Sequence, residues 1–391
     1  MIQLLSKIFI KNREDVANPG VRKAYGTLCG LTGIFLNICL FAGKYFAGMI
    51  SGSIAITADA FNNLSDAGSS FITLVGFWLA GKKPDPDHPF GHGRFEYISG
   101  FVVSMAILLM GLELGKSSVS KIFHPVPVDT GGVAMGILVV SVLVKGYMAF
   151  YNRVIGNKID SAAMRATSAD SISDMVATGV VFLSMLVNRF AHINIDGICG
   201  VLVAVFILYT GVEAAKETLG ALLGTAPDRE YVQEIRNLVM AHEGVKGIHD
   251  LIVHDYGPGR RMISLHAEVP GDGDVYVMHD MIDCIERELR QKLQCDATIH
   301  MDPIEVDNEQ LNEMKEKVFE ELKQISPDIS IHDFRMVQGP THTNLIFDVV
   351  VSFGMKQTDA QIREQVEKIV KAMPGNYFPV VEIDRDYTKS D

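Results

Sequence analysis

Apolar residues dominate six long stretches in the first half of the chain, at about 26–49, 53–80, 97–119, 130–152, 163–188 and 194–216. A bilayer core of about 30 Å takes about 20 residues of helix to cross, so each stretch is predicted to be a membrane-spanning helix. Short connections separate them, and several carry polar residues, so they are not lipid-exposed all round. After about residue 217 the pattern changes. An amphipathic helix is expected over 228–242. Strands at 247–255 and 261–269 flank the turn Tyr256-Gly257-Pro258-Gly259, and a helix at 275–293 and a strand at 296–301 follow. The same order then recurs: a helix over 308–324, strands at 329–337 and 344–352 around Gly339-Pro340, a helix at 358–373 and a strand at 378–384. Ile-His-Asp stands at the same place in both units, at 248–250 and 331–333, and a Gly-Pro follows each, offset by one residue. The expected architecture is a six-helix transmembrane bundle followed by a cytoplasmic α+β domain of ferredoxin-like αββαβ order, duplicated. Its expected parts are an N-terminal cytoplasmic segment 1–25, a membrane domain 26–218, a first αββαβ domain 219–304 and a second repeat 305–391.

Composition agrees with that division. Of 391 residues 48% are hydrophobic, and the mean hydropathy is +0.20. Residues 1–225 hold 17 Lys+Arg and 15 Asp+Glu, a net of +2; the remainder holds 18 and 32, a net of −14. So acidic a soluble part argues against nucleic acid as a partner and favours cations. The five cysteines form no CxxC pair, and nothing demands a disulfide, which places the soluble part in a reducing compartment. The charged N-terminus reads as no cleaved signal peptide. With the N-terminus inside, inner segments hold eleven Lys or Arg (7, 11, 13, 22, 23, 82, 83, 94, 153, 158 and 165) and outer loops three (116, 121 and 189). That bias favours cytoplasmic N- and C-termini in a multi-pass protein of the cell membrane.

Inside the predicted spans lie acids. Asn62 and Asp66 stand four apart in the second span, as do Asp170 and Asp174 in the fifth. On a helix that spacing puts each pair on one face. An ionised carboxylate at mid-membrane costs at least about 2.5 kcal/mol, so three need compensation. A divalent cation would supply it: three carboxylates and M²⁺ leave −1, which one proton would neutralise. The alternative is pairing with Lys or Arg. Neither span has a basic residue near mid-depth, but Lys44 and Lys145 lie in other spans, and Lys145 is equally placed to pair with Glu113.

The segments SGSIAITADAFNNLSDAGSS, PDPDHPFGHGRFEYISG and FILYTGVEAAKETLGALLGTAPD resemble the cation diffusion facilitator family over about residues 10–303. The resemblance implies a homodimeric exporter of divalent metal coupled to proton entry, with a transport site at Asn62, Asp66, Asp170 and Asp174. Zinc-transporting members usually carry His at the position of Asp170. An all-oxygen set suits harder ions, and the Asn-Asp-Asp-Asp pattern is similar to the manganese-exporting branch. Mn(II) is therefore preferred over Zn(II), Fe(II) and Co(II), with no resident cofactor. The resemblance also implies an interfacial metal site at Asp85, His88 and His92, and a regulatory cytoplasmic site at His249, His266, His300 and Asp302. A basic residue matching Arg94 pairs in some members with an acid after the last span. Here that position looks like Gly224, so the charge lock is either missing or uses Glu217 or Asp228. Aligning the two αββαβ units sets His332, Asp348, Glu382 and Asp384 opposite the four regulatory positions, a second candidate site of harder character. HExxH, GxSxG and P-loop patterns are absent, so no enzyme is expected. The competing readings are a Zn, Fe or Co exporter, a membrane-tethered metal sensor that does not transport, or a channel, which a tight multi-acid site disfavours because tight binding slows exit.

Overall fold

The structure, a computed structural model, describes residues 2–16, 18–51, 54–124, 132–191, 196–305 and 308–386. It divides into two compact units. One holds residues up to Thr225 together with Asp255–Arg260; the other holds Ala226–His254 and everything from Arg261 onward.

The first unit is helical. A short α1 (Ile2–Phe9) precedes six long helices: α2 (Pro19–Ser51), α3 (Ile54–Ala80), α4 (Phe95–Phe123), α5 (Gly132–Lys158), α6 (Ala162–Ala191) and α7 (Asp196–Leu223). Helices α2, α4, α5, α6 and α7 are long and apolar enough to cross a membrane. Helix α3 falls short of that measure because Asn63, Ser65, Asp66, Ser69 and Ser70 dilute its apolar residues. Six spans were expected; α3, which falls short, carries the candidate ligands Asn62 and Asp66, whereas α6, with Asp170 and Asp174, meets the measure. The helices pair closely as α2 with α3, α4 with α7 and α5 with α6. Phe35, Leu109, Leu143 and Leu202 stay exposed on the outside, an apolar exterior that suits lipid rather than water.

The second unit holds two α/β modules. The first runs α8 (Arg229–Met240), β1 (Gly247–Asp255), β2 (Arg261–Pro270), α9 (Val275–Leu293), β3 (Cys295–Ile304). The second runs α10 (Glu309–Leu322), β4 (Ser330–Gln338), β5 (Thr343–Ser352), α11 (Asp359–Ala372), β6 (Tyr377–Asp386). The sheets have the orders β1-β2-β3 and β4-β5-β6. Strands β2 and β3 pair in parallel with His266 opposite His300, and β5 and β6 pair in parallel with Asp348 opposite Glu382. Apolar residues at helical spacing seat each helix. Ile282, Ile285 and Leu289 of α9 bury against Leu265 and Ile263; Ile362, Val366 and Val370 of α11 bury against Leu345, Phe347 and Val349. Asp274 caps α9, and Thr358 with Gln361 forms a capping box on α11.

One close approach in the helical unit dictates its residues. Gly257 has φ +111°, and a Cβ there would lie 2.4 Å from the carbonyl carbon of Gly93; a Cβ on Gly93 would lie 2.8 Å from the Tyr256 carbonyl oxygen. Two backbones touch where neither tolerates a side chain. Gly257→Ala is expected to destabilise by about 1–3 kcal/mol, read as a lower melting temperature in detergent. An unchanged melting curve would show that the approach is not needed.

Candidate metal centres

In the helical unit, Asp66 of α3 and Asp170 of α6 are buried, at 6% and 4% exposure. Asp174, one turn along α6, is partly buried, and Asn62 is exposed. Lys145 of α5, itself buried, donates to Asp66 Oδ2 at 2.7 Å and to Asp174 Oδ2 at 2.6 Å. Of the partners open to Lys145 on sequence, the structure takes these two acids; Glu113 is exposed on α4. Asp170 Oδ1 is buried with no hydrogen-bond partner. Asp66, Asp170 and Asp174 are not among the groups whose ligand atoms lie within ion-binding reach of one another. An ammonium stands between two of them instead. Removing one member of such a buried pair is costly, because the other charge is left alone in a low dielectric.

The connection after α3 gathers Asp85, His88 and His92 within ligand distance. Asp85 Oδ1 lies 3.2 Å from His88 Nδ1 and Oδ2 lies 3.3 Å from His92 Nε2. The imidazole rings are 4.6 Å apart. A hydrogen bond from the His88 backbone N–H is the largest influence holding the Asp85 carboxyl below its ordinary value. Gly91, with φ +84°, makes the turn that returns His92 to the acid. Arg94 does not take Glu217 as partner. It donates to the Asp255 carbonyl oxygen at 2.8 Å and lies over the Tyr256 ring at 4.7 Å, while Glu217 pairs with Arg165.

Among the described residues of the α/β unit, three groups of ligand atoms form: His249, His266 and Asp302; His332, Asp348 and Asp384; and His249, Asp250 and His332. Asp302 Oδ2 lies 3.1 Å from His249 Nε2 and 2.9 Å from His266 Nδ1. His300 is exposed at the margin, its Nε2 3.2 Å from Asp302 Oδ1. Asp384 Oδ2 lies 3.3 Å from His332 Nε2, and Glu382 is exposed and outside the group. Burial, then the neighbouring His332, holds His249 below the ordinary imidazole value, which favours its neutral, ligating form. Burial raises Asp348 and Asp384. Sequence reasoning passed over Asp250 and Asp333 as ligands. The signal was present, since both belong to the recurring Ile-His-Asp, and both adopt the left-handed conformation, at φ +51° and +53°.

Long apolar helices with buried acids, joined to an α/β unit rich in imidazole–carboxylate clusters, define a multi-span membrane protein with divalent-cation ligand chemistry. Residues 31–223 match the cation efflux transmembrane domain, and residues 227–304 match the cation efflux protein, cytoplasmic domain. The chain belongs to the cation diffusion facilitator family of multi-pass cation-efflux transporters. It is 29% identical over 270 residues to an uncharacterized transporter, MJ0449, of Methanocaldococcus jannaschii, covering 69% of this chain and 95% of that protein. It is also 29% identical over 265 residues to the cation-efflux pump FieF of Salmonella newport, covering 67% of this chain and 88% of the pump. Residues 305–391 lie beyond both domain matches.

Lys145→Met leaves Asp66 and Asp174 without their cation. In metal-free protein it is expected to destabilise by about 3–5 kcal/mol, and saturating Mn(II) should recover most of that loss. Equal melting temperatures for wild type and variant, with and without metal, would contradict the pairing.

Proposed function

We propose that this protein exports Mn(II) from the cytoplasm across the cell membrane in exchange for protons, through Asn62, Asp66, Asp170 and Asp174, as a homodimer with both termini inside. The observation that carries the reading is the meeting of acids from α3 and α6 around one buried ammonium, with an unpartnered oxygen of Asp170 beside them. Charge counting then gives a working cycle. Three carboxylates with a divalent cation sum to −1; with the metal gone and the Lys145 ammonium in its place they sum to −2, so one returning proton restores −1. Metal entry requires the Lys145 ammonium to withdraw from Asp66 and Asp174, because both would otherwise occupy the same oxygens. When the metal leaves outward, a returning proton and the ammonium restore the charge the cation had supplied. Lys145 thus acts as a placeholder that keeps the empty site from carrying three bare carboxylates in the membrane.

The preference for Mn(II) over Zn(II), Fe(II) and Co(II) follows from the absence of imidazole and thiolate donors among the four side chains, whose donor atoms are all oxygens. The second α/β module is taken as a repeat of the first, added beyond the part shared with the relatives. The pump whose name ends in FieF is a cation-efflux pump, and the same direction of transport is adopted here. The sensor reading rests on the ligand clusters of the α/β unit; it leaves buried acids in two helices unused.

The deciding experiment is flux in proteoliposomes under a pH gradient, with Mn(II) and Zn(II) side by side. Wild type is expected to move Mn(II) into the lumen and alkalinise it in step with the metal, because protons leave as metal enters. Asp170→Ala should abolish both fluxes, and Asp170→His should raise the Zn/Mn ratio by about tenfold, as one imidazole replaces one carboxylate. Metal binding without flux would establish the sensor instead, and an unchanged Zn/Mn ratio in Asp170→His would remove ligand softness as the basis of selectivity.

A further inference from the structure

The two α/β modules meet at their histidines. The rings of His249 and His332 stack with centroids 4.2 Å apart. Both side chains are 7% exposed. Despite carboxylate oxygens as near as 3.1 Å, no ring nitrogen of either residue has a hydrogen-bond partner. A buried imidazole with two unsatisfied nitrogens is a costly arrangement unless something else takes its lone pair.

The surroundings obey an approximate two-fold relation. His249 Nε2 faces Asp302 of its own module and, at 3.8 Å, Asp333 of the other. His332 Nε2 faces Asp384 of its own module and, at 3.7 Å, Asp250 of the other. The crossing acids each follow their histidine directly, and their left-handed backbone differs from the extended strand around it. A non-glycine residue at positive φ is uncommon outside turns. Here it turns each aspartate aside from the regular strand alternation, and in β4 the pairing register shifts between His332 and Arg335.

We propose that the modules share one two-ion divalent-metal centre. One ion is held by His249, His266 and Asp302, the other by His332, Asp348 and Asp384. Asp333 completes the first and Asp250 the second, so each ion takes a ligand from both modules. The first triad lies in the region matched to the family's cytoplasmic domain; the second ion and the crossed aspartates depend on residues 305–391. Charge supports two ions. Five aspartates sum to −5 with neutral imidazoles, and two divalent cations reduce this to −1. Access is provided, because His249, Asp250, His266, His332 and Asp384 all line a cleft of about 1680 Å³. The sites differ in character. Two imidazoles favour Zn(II) at the first, whereas one imidazole and three carboxylates suit Mn(II) at the second. The centre would tie the second module to the first and make their packing depend on metal.

The test is binding, so its result stands apart from flux. Full-length protein in detergent is dialysed to equilibrium with Zn(II), and separately with Mn(II), and bound metal is counted per chain. His332→Ala/Asp384→Ala is expected to bind one ion fewer than wild type. Asp250→Asn, a change in the first module, is expected to weaken that same ion by about tenfold, in the range seen for lost ligand support. Unchanged stoichiometry in the double variant would overturn the second site; unchanged affinity in Asp250→Asn would overturn the crossing. Wild type loaded with Mn(II) gives a check free of mutation: two ions this close broaden each other's electron paramagnetic resonance lines, whereas well-resolved sextets alone would contradict a shared centre.

Discussion

An ammonium clasped by two carboxylates inside an apolar helix bundle is the interaction on which the membrane unit depends. Lys145 comes from α5, Asp66 from α3 and Asp174 from α6, so one cation joins three helices. Each charge alone would be expensive in the bilayer; together they are tolerable, though not neutral. On the function proposed above, the residual negative charge, with the unpartnered oxygen of Asp170, would attract a divalent ion, and the lysine would decide when the acids are free to accept it.

Outside the bilayer the logic changes from burial of charge to its accumulation. The α/β unit is acidic, and its hydrophobic cores under α9 and α11 fix strands whose outward positions carry imidazole and carboxylate. Parallel pairing places His266 beside His300 and Asp348 beside Glu382. The left-handed turns at Asp250 and Asp333 bring acids to histidines of the other module. In the membrane site a lysine sits among the acids; in these clusters the ring nitrogens of His249 and His332 are buried without hydrogen-bond partners.

Much of this was legible from residue order. The strands at 247–255 and the helix at 275–293 fall where periodicity and turn residues put them, because local pattern and core burial agree there. The candidate set Asp85, His88 and His92 came from the family resemblance rather than from spacing, and the structure gathers the three side chains within ligand distance. The role of Lys145 was not legible. It is distant in sequence from Asp66 and Asp174, and periodicity cannot choose between those acids and Glu113 when the choice rests on how α5 packs. For Arg94 the sequence left open a missing charge lock or a pairing with Glu217 or Asp228; the structure gives it a backbone carbonyl and an aromatic face. The convergence of the two Ile-His-Asp segments was hidden for the same reason: a recurring motif says that two units are alike, not that they face each other.

The most direct test of the central claim is to locate the ion. Anomalous scattering at the manganese edge, from full-length protein loaded with Mn(II), would show where the metal sits relative to Lys145. The account predicts a peak among the carboxylates of Asp66, Asp170 and Asp174, with the Lys145 ammonium withdrawn from both of its present partners. A loaded structure with Lys145 still bridging Asp66 and Asp174, and manganese absent from between α3 and α6, would contradict it.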